Sequence, residues 1–287
     1  MGHRGTGDNK GDMSPFQKAW EVLFPWLLYY LAYNAAYMIL IFLQGVMQNS
    51  SGKRFRQWAA AHTATMSGVT GGLCMLLGFC PLLPILKREL TEWVETKKSL
   101  VVIGGREFPE RSIWKEVSVT VILAVTSSLG LNALLTLTKL VDVSQTYQEV
   151  AKRQYGVVFG LGILLYGLIS PLVEEAVFRG VIYNRLRRFY GPTAAVAVSG
   201  IFFGVFHGNL VQGVYGTCMG ILLAYVYERE GSFFFPVLFH AAANIAVYCT
   251  AYAQVVQDIL FTPVGCAVLL AAAAGLFVIF RKKNKDY

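Results

Sequence analysis

Charge is what this chain has least of. Of its 287 residues only 15% are Asp, Glu, Lys or Arg, against 55% hydrophobic, and the mean hydropathy is +0.50. An ordinary soluble domain carries about 25% charged residues, so the composition excludes a water-solvated fold and points to a membrane. Histidine is scarce, with only His3, His62, His207 and His240. The five cysteines, Cys74, Cys80, Cys218, Cys249 and Cys266, form no C-x-x-C pair, which excludes the common structural-zinc and dithiol motifs. Each falls in an apolar run, where a small buried side chain is the expected role. No H-E-x-x-H, G-x-x-x-x-G-K-[ST] or strand-linked G-x-G-x-x-G is present, so the chain encodes neither a zincin helix nor a phosphate-cradling loop. Low-complexity tracts and fixed-period repeats are absent as well.

What is present is a series of apolar runs of membrane length. A bilayer core of roughly 30 Å is crossed by about 20 apolar residues in a helix. Eight runs qualify, at about 23–47, 63–86, 117–140, 156–183, 193–207, 210–227, 233–256 and 259–280, the fifth being the shortest. The expected fold is an all-α, polytopic integral membrane bundle of about eight transmembrane helices. It divides into a polar tail 1–22, three first helices in 23–155 with a charged loop 87–114, a chemically active core 156–256, and a last helix with a basic tail in 257–287. No short apolar stretch with a small-residue cleavage site precedes the first run, which is therefore expected to act as a retained signal anchor.

The net charge of +8 does not make a nucleic-acid surface, because the basic residues sit in loops between apolar runs. With both termini cytoplasmic, the inner segments hold 18 of the 25 Lys and Arg and the outer loops six, while Arg179 lies within a run. That asymmetry follows the positive-inside rule for a multi-pass protein of the cell membrane, with Lys53, Arg54 and Arg56 running against it. Arg185, Arg187 and Arg188 are accounted for by the same asymmetry. Aromatics near run ends, Trp26, Tyr29, Tyr30 and 233–235, are expected as interface anchors. Glycines recur at four-residue spacing, Gly68/Gly72, Gly156/Gly160, Gly200/Gly204/Gly208 and Gly216/Gly220, a pattern that lets helices approach closely.

Ionisable groups inside a bilayer cost at least ~2.5–3.5 kcal/mol each, so their positions mark candidate sites. One cluster is Glu174, Glu175 and Arg179 within S-P-L-V-E-E-A-V-F-R-G. Glu175 and Arg179 are four apart and can pair on one helix face, which leaves Glu174 as the better candidate general base. Phe203 and His207 share a face of the fifth run, as do His240 and Asn244 on the seventh. At 1.5 Å per residue, Glu174 lies about 16–20 Å from the inner face, His207 about 22 Å, His240 about 12 Å and Asn244 about 18 Å. Three runs thus bring polar groups to comparable depth, as a common site requires. A carboxylate base, a proton-sharing histidine and His/Asn donors suit attack of water on a carbonyl.

Glu174-Glu175-x-x-x-Arg179, Phe203-x-x-x-His207 and His240-x-x-x-Asn244 resemble, in order, the three signature motifs of the CAAX-processing and bacteriocin-processing protease (CPBP, or Abi) family, which includes type 2 CAAX prenyl endopeptidases. The resemblance covers about 156–252. It implies that Glu174 and His207 activate water, that His240 and Asn244 stabilise the oxyanion, and that Glu175 and Arg179 organise the site, with Phe203 in support. It also implies an eight-helix bundle with a cavity open to the cytoplasm and a peptide or lipidated protein as substrate, with no cofactor required. The residue types leave alternatives open. Glu174, His207 and His240 match a two-His, one-carboxylate zinc set. A proton-coupled transporter also needs buried carboxylates and histidines, and a scaffold can keep a fold without its chemistry. Oligomeric state is not encoded in any of these features.

Overall fold

The computed structural model describes residues 13–103 and 112–282, and among these the regular structure is entirely helical. Helix α1 (Pro15–Ser50) begins earlier than its apolar run because Ser14 and Gln17 form a reciprocal capping box and Pro15 occupies the first turn. A short α2 (Lys53–Ala61) leads into α3 (Thr63–Phe79), which continues through a tight turn into α4 (Leu83–Ile103). Then come α5 (Ile113–Leu137), α6 (Leu140–Val143) and α7 (Gln145–Tyr155). From α8 (Phe159–Gly162) the path runs through α9 (Ser170–Val177) to α10 (Asn184–Phe206), with π-helical segments at Ile163–Ile169 and Phe178–Tyr183. The bundle ends with α11 (Leu210–Glu230), α12 (Phe234–Ala251), α13 (Gln254–Leu260) and α14 (Pro263–Lys282).

Seven of the described helices are long and apolar enough to cross a membrane. The longest, Phe159–Phe206, breaks at Gly191, whose φ of 80° favours glycine, just before Pro192. Its two limbs are the expected fourth and fifth runs, so eight apolar runs lie on seven helices. The multi-pass, all-α architecture agrees with the composition. The charged stretch from residue 87, expected as a loop, is largely helix: Glu89, Trp93 and Lys97 recur every four residues on one face of α4, and Glu89 and Trp93 are buried against the bundle.

Helices α10 and α11 meet at glycines. A Cβ on Gly204 would strike the Thr217 hydroxyl and the Gly213 carbonyl, and one on Gly220 would lie 2.9 Å from the Gly200 carbonyl. Gly68 and Gly72 similarly admit Val157 and Leu165. Gly160 faces open space, and Gly208 is a left-handed turn residue at φ 70° with nothing beside it; neither is a packing glycine. Two other expectations change. Tyr29, placed among the interface anchors, is 3% exposed and packs on Tyr33 and Phe206. Cys74 and Cys266 are buried, whereas Cys80, Cys218 and Cys249 lie on the outside of the bundle. A thiol facing lipid needs no burial, since the bundle's outer surface is itself apolar.

The two ends of the bundle differ. At one end Arg185 bridges Glu89 (2.8 Å) and Glu21 (3.0 Å), and Arg188 reaches Glu89 at 2.7 Å. There Glu228 gathers Arg187 (2.8 Å), Lys97 (2.8 Å) and the Tyr183 hydroxyl (2.7 Å), while the Trp93 indole donates to the Gly231 carbonyl. The other end is built from α6, α7, the turn at His207–Asn209 and the end of α12, where Tyr252 donates to the Tyr155 carbonyl at 2.7 Å.

Candidate active site

The local backbone of the glutamate motif follows from its proline. The Ser170 amide donates to the Leu165 carbonyl in the five-residue spacing of a π-turn. In that register the next donor would be Pro171 toward Tyr166, but proline has no N–H. The vacant Tyr166 carbonyl is taken by the Asn244 side chain, whose Nδ2 donates to it at 2.9 Å. One amide N–H of Asn244 is thereby committed, which orients the side chain and leaves the second N–H free to donate.

Glu175 and Arg179 pair as expected, Nη1 to Oε1 at 2.8 Å, with both side chains completely buried. The pair does more than offset its own charge. The same Glu175 oxygen lies 2.8 Å from His240 Nδ1, and Arg179 Nη2 donates to the Gly220 carbonyl at 2.8 Å. Gly220 is reachable because α10 and α11 approach at glycines. Arg179 also lies 4.6 Å over the Phe203 ring, whose edge contacts place it 5.0 Å from the His207 ring and 5.6 Å from that of His240. Phe203 is buried and serves as the common wall between the two histidines.

Glu174 accepts a hydrogen bond from the Ser170 hydroxyl on Oε1, and its Oε2 lies 3.8 Å from His240 Nε2. Ser170 was not singled out from sequence, although its position four residues before Glu174 on the same helix face was the available signal. His207 places Nδ1 2.8 Å from the Phe203 carbonyl. A carbonyl only accepts, so Nδ1 carries the proton and Nε2 of the neutral ring is an acceptor. The same logic applies to His240, where Glu175 accepts from Nδ1.

Glu174, His207, His240 and Asn244, delivered by α9, α10 and α12, line one cavity of about 200 Å³ together with Ser170, Phe203 and Tyr166. Its remaining wall comes from α5, α6, α7 and α11, with α7 contributing residues such as Tyr147 and Gln154, which carried no signal in the sequence. No lysine or arginine lines it among the described residues. Zinc would need Glu174, His207 and His240 to converge. Among the described residues no three His, Cys, Asp or Glu side chains are grouped to hold a metal.

The cavity lies at the α6–α7 end of the bundle, away from the Arg185–Arg188 end. Cytoplasmic termini and a cavity open to the cytoplasm therefore require opposite orientations of this chain.

Comparison with known proteins bears on the same segment. Residues 157–246 match the family model described as type II CAAX prenyl endopeptidase Rce1-like. The protein named "Putative membrane peptidase YdiL" of Bacillus subtilis (strain 168) is 29% identical over 87 residues, covering 30% of this chain and 36% of that relative. The likeness thus spans about a third of the relative's length. No solved structure matches. Every residue of the three motifs falls inside the matched segment, so the likeness to the type II CAAX prenyl endopeptidase Rce1-like model takes in the motif residues that line the cavity.

Proposed function

We propose that the protein is an intramembrane endopeptidase that hydrolyses a peptide bond of a membrane-associated substrate with a glutamate-activated water. The observation that carries this reading is that Glu174, His207, His240 and Asn244, from three helices, line a single cavity. Ser170 holds one Glu174 oxygen, which leaves Oε2 to take a proton from water. His207 Nε2, an acceptor in the neutral ring, orients that water. The resulting hydroxide attacks the scissile carbonyl, and the tetrahedral oxyanion accepts from the free N–H of Asn244 and from His240 Nε2. For His240 to donate there, its ring must carry both protons, and the Glu175 carboxylate on Nδ1 is the counter-charge for that imidazolium. The proton held by Glu174 then passes to the leaving amine as the C–N bond breaks.

Two features favour an endopeptidase over an exopeptidase acting at a free C-terminus. The cavity has no lysine or arginine among its lining residues to hold a terminal carboxylate, and Arg179 is buried with its two Nη groups donating to Glu175 and Gly220. A proton-coupled transporter is less well supported, because the carboxylates sit on one helix and end in a cavity rather than a path across the bundle. The test is proteomic: peptide termini in membranes of cells carrying the wild-type chain are compared with those carrying Glu174→Ala. Termini that disappear in the variant are expected; identical sets would remove the assignment.

A further inference from the structure

We infer that the catalytic cavity is entered from the extracytoplasmic face of the membrane, beneath α7, so that the substrate is a peptide segment presented on the outer side. The inference rests on the peptidase reading for the word substrate, but its geometry stands without it.

The cavity lining runs from Glu174 and His240 in the bundle interior to Val141, Tyr147, Gln154 and Tyr155 at the α6–α7 end. In the other direction the site is closed. The Glu175–Arg179–Gly220 layer underlies it. Beyond that, Tyr183, Arg187, Lys97 and Glu228 interlock, followed by Glu89 with Arg185 and Arg188. A peptide cannot reach Glu174 from that end without breaking the buried Glu175–Arg179 and Glu89–Arg185 pairs, which are expensive to open in low dielectric, and the half-buried pairs of Glu228.

The closed end is also the basic one. Among the described residues, 12 Lys and Arg lie on segments at that end and six on segments at the α7 end. Positive-inside insertion places the first in the cytoplasm, so the cavity faces out.

Helix α7 suits a place at the outer interface. Tyr147, Val150, Ala151, Gln154 and Tyr155 turn toward the cavity at helical spacing, while Glu149, Lys152 and Arg153 are exposed on the opposite face. The entry is therefore walled by phenol and amide groups, with no formal charge until Glu174. A segment with uncharged side chains on both sides of the scissile bond fits it best.

The experiment is thiol labelling with a small charged methanethiosulfonate, which does not cross membranes. Single substitutions Ala151→Cys and Val247→Cys report the cavity, Glu149→Cys the outer face of α7 and Glu95→Cys the opposite end; the unsubstituted chain is the blank for its five native cysteines. In intact cells Ala151→Cys, Val247→Cys and Glu149→Cys are expected to label and Glu95→Cys only after permeabilisation. Labelling of Glu95→Cys alone in intact cells would overturn the orientation. Protection of Ala151→Cys and Val247→Cys while Glu149→Cys labels would overturn the entry. A C-terminal fluorescent fusion, which leaves the core untouched, is expected to fluoresce, and an active alkaline phosphatase fusion at that site would count against the orientation even if a cysteine variant misfolds. None of these readouts needs proteolysis, so loss of the peptidase reading in Glu174→Ala would be seen separately.

Discussion

His240 Nδ1 and Arg179 Nη1 converge on the same oxygen of Glu175, each at 2.8 Å. One buried carboxylate therefore joins the charge balance of the glutamate helix to the orientation of a histidine 65 residues away on α12. Stability and chemistry share an atom, and they can be separated by mutation.

Glu175→Gln leaves Arg179 buried without a counter-charge. Breaking such a pair costs about 3–5 kcal/mol, so detergent-solubilised protein should unfold at a clearly lower temperature. Adding Arg179→Met is expected to recover much of that loss without recovering peptide cleavage, because His240 still lacks the counter-charge for its imidazolium. Full cleavage by the double variant would show that Glu175 serves the fold alone.

Pro171→Ala restores a backbone N–H aimed at the Tyr166 carbonyl and so competes with Asn244. Removing an oxyanion donor costs about 10²–10³ in kcat; displacing it in part should cost roughly tenfold, with KM little changed. In an Asn244→Ala background the Pro171→Ala change should have almost no further effect. Additive losses would mean that proline acts elsewhere.

Gly204→Ala forces a Cβ against Thr217 and the Gly213 carbonyl, whereas Gly160→Ala meets nothing within 4 Å. Overpacking of this kind costs about 1–3 kcal/mol, so thermal unfolding should separate the two variants. Equal unfolding temperatures would show that α10 and α11 do not depend on the glycine contact.

Chelation provides a fourth test. With no three-ligand cluster among the described residues, cleavage is expected to survive prolonged treatment with a zinc chelator, and purified protein to hold far less than one zinc per chain. Activity lost to chelator and regained with zinc would replace the glutamate–water mechanism by a metal one.

Composition and run length alone determined the membrane bundle. Hydropathy is a sum over local residues, and a helix is the form that satisfies every backbone group within one segment. The motif residues were visible for a related reason: polar side chains in apolar runs stand out, and i, i+4 spacing reports a shared face without any tertiary knowledge. The Glu175–Arg179 pair was read correctly on that basis. What only the tertiary structure decided are relations between helices. The oxygen that Glu175 shares with His240, the use of Asn244 to fill the acceptor left by Pro171, and the cover that α7 lays over the cavity all join residues distant in sequence. The end of the bundle at which the cavity lies was hidden for the same reason. Depth along a helix can be counted residue by residue, but the direction in which empty space opens depends on how the helices pack around it.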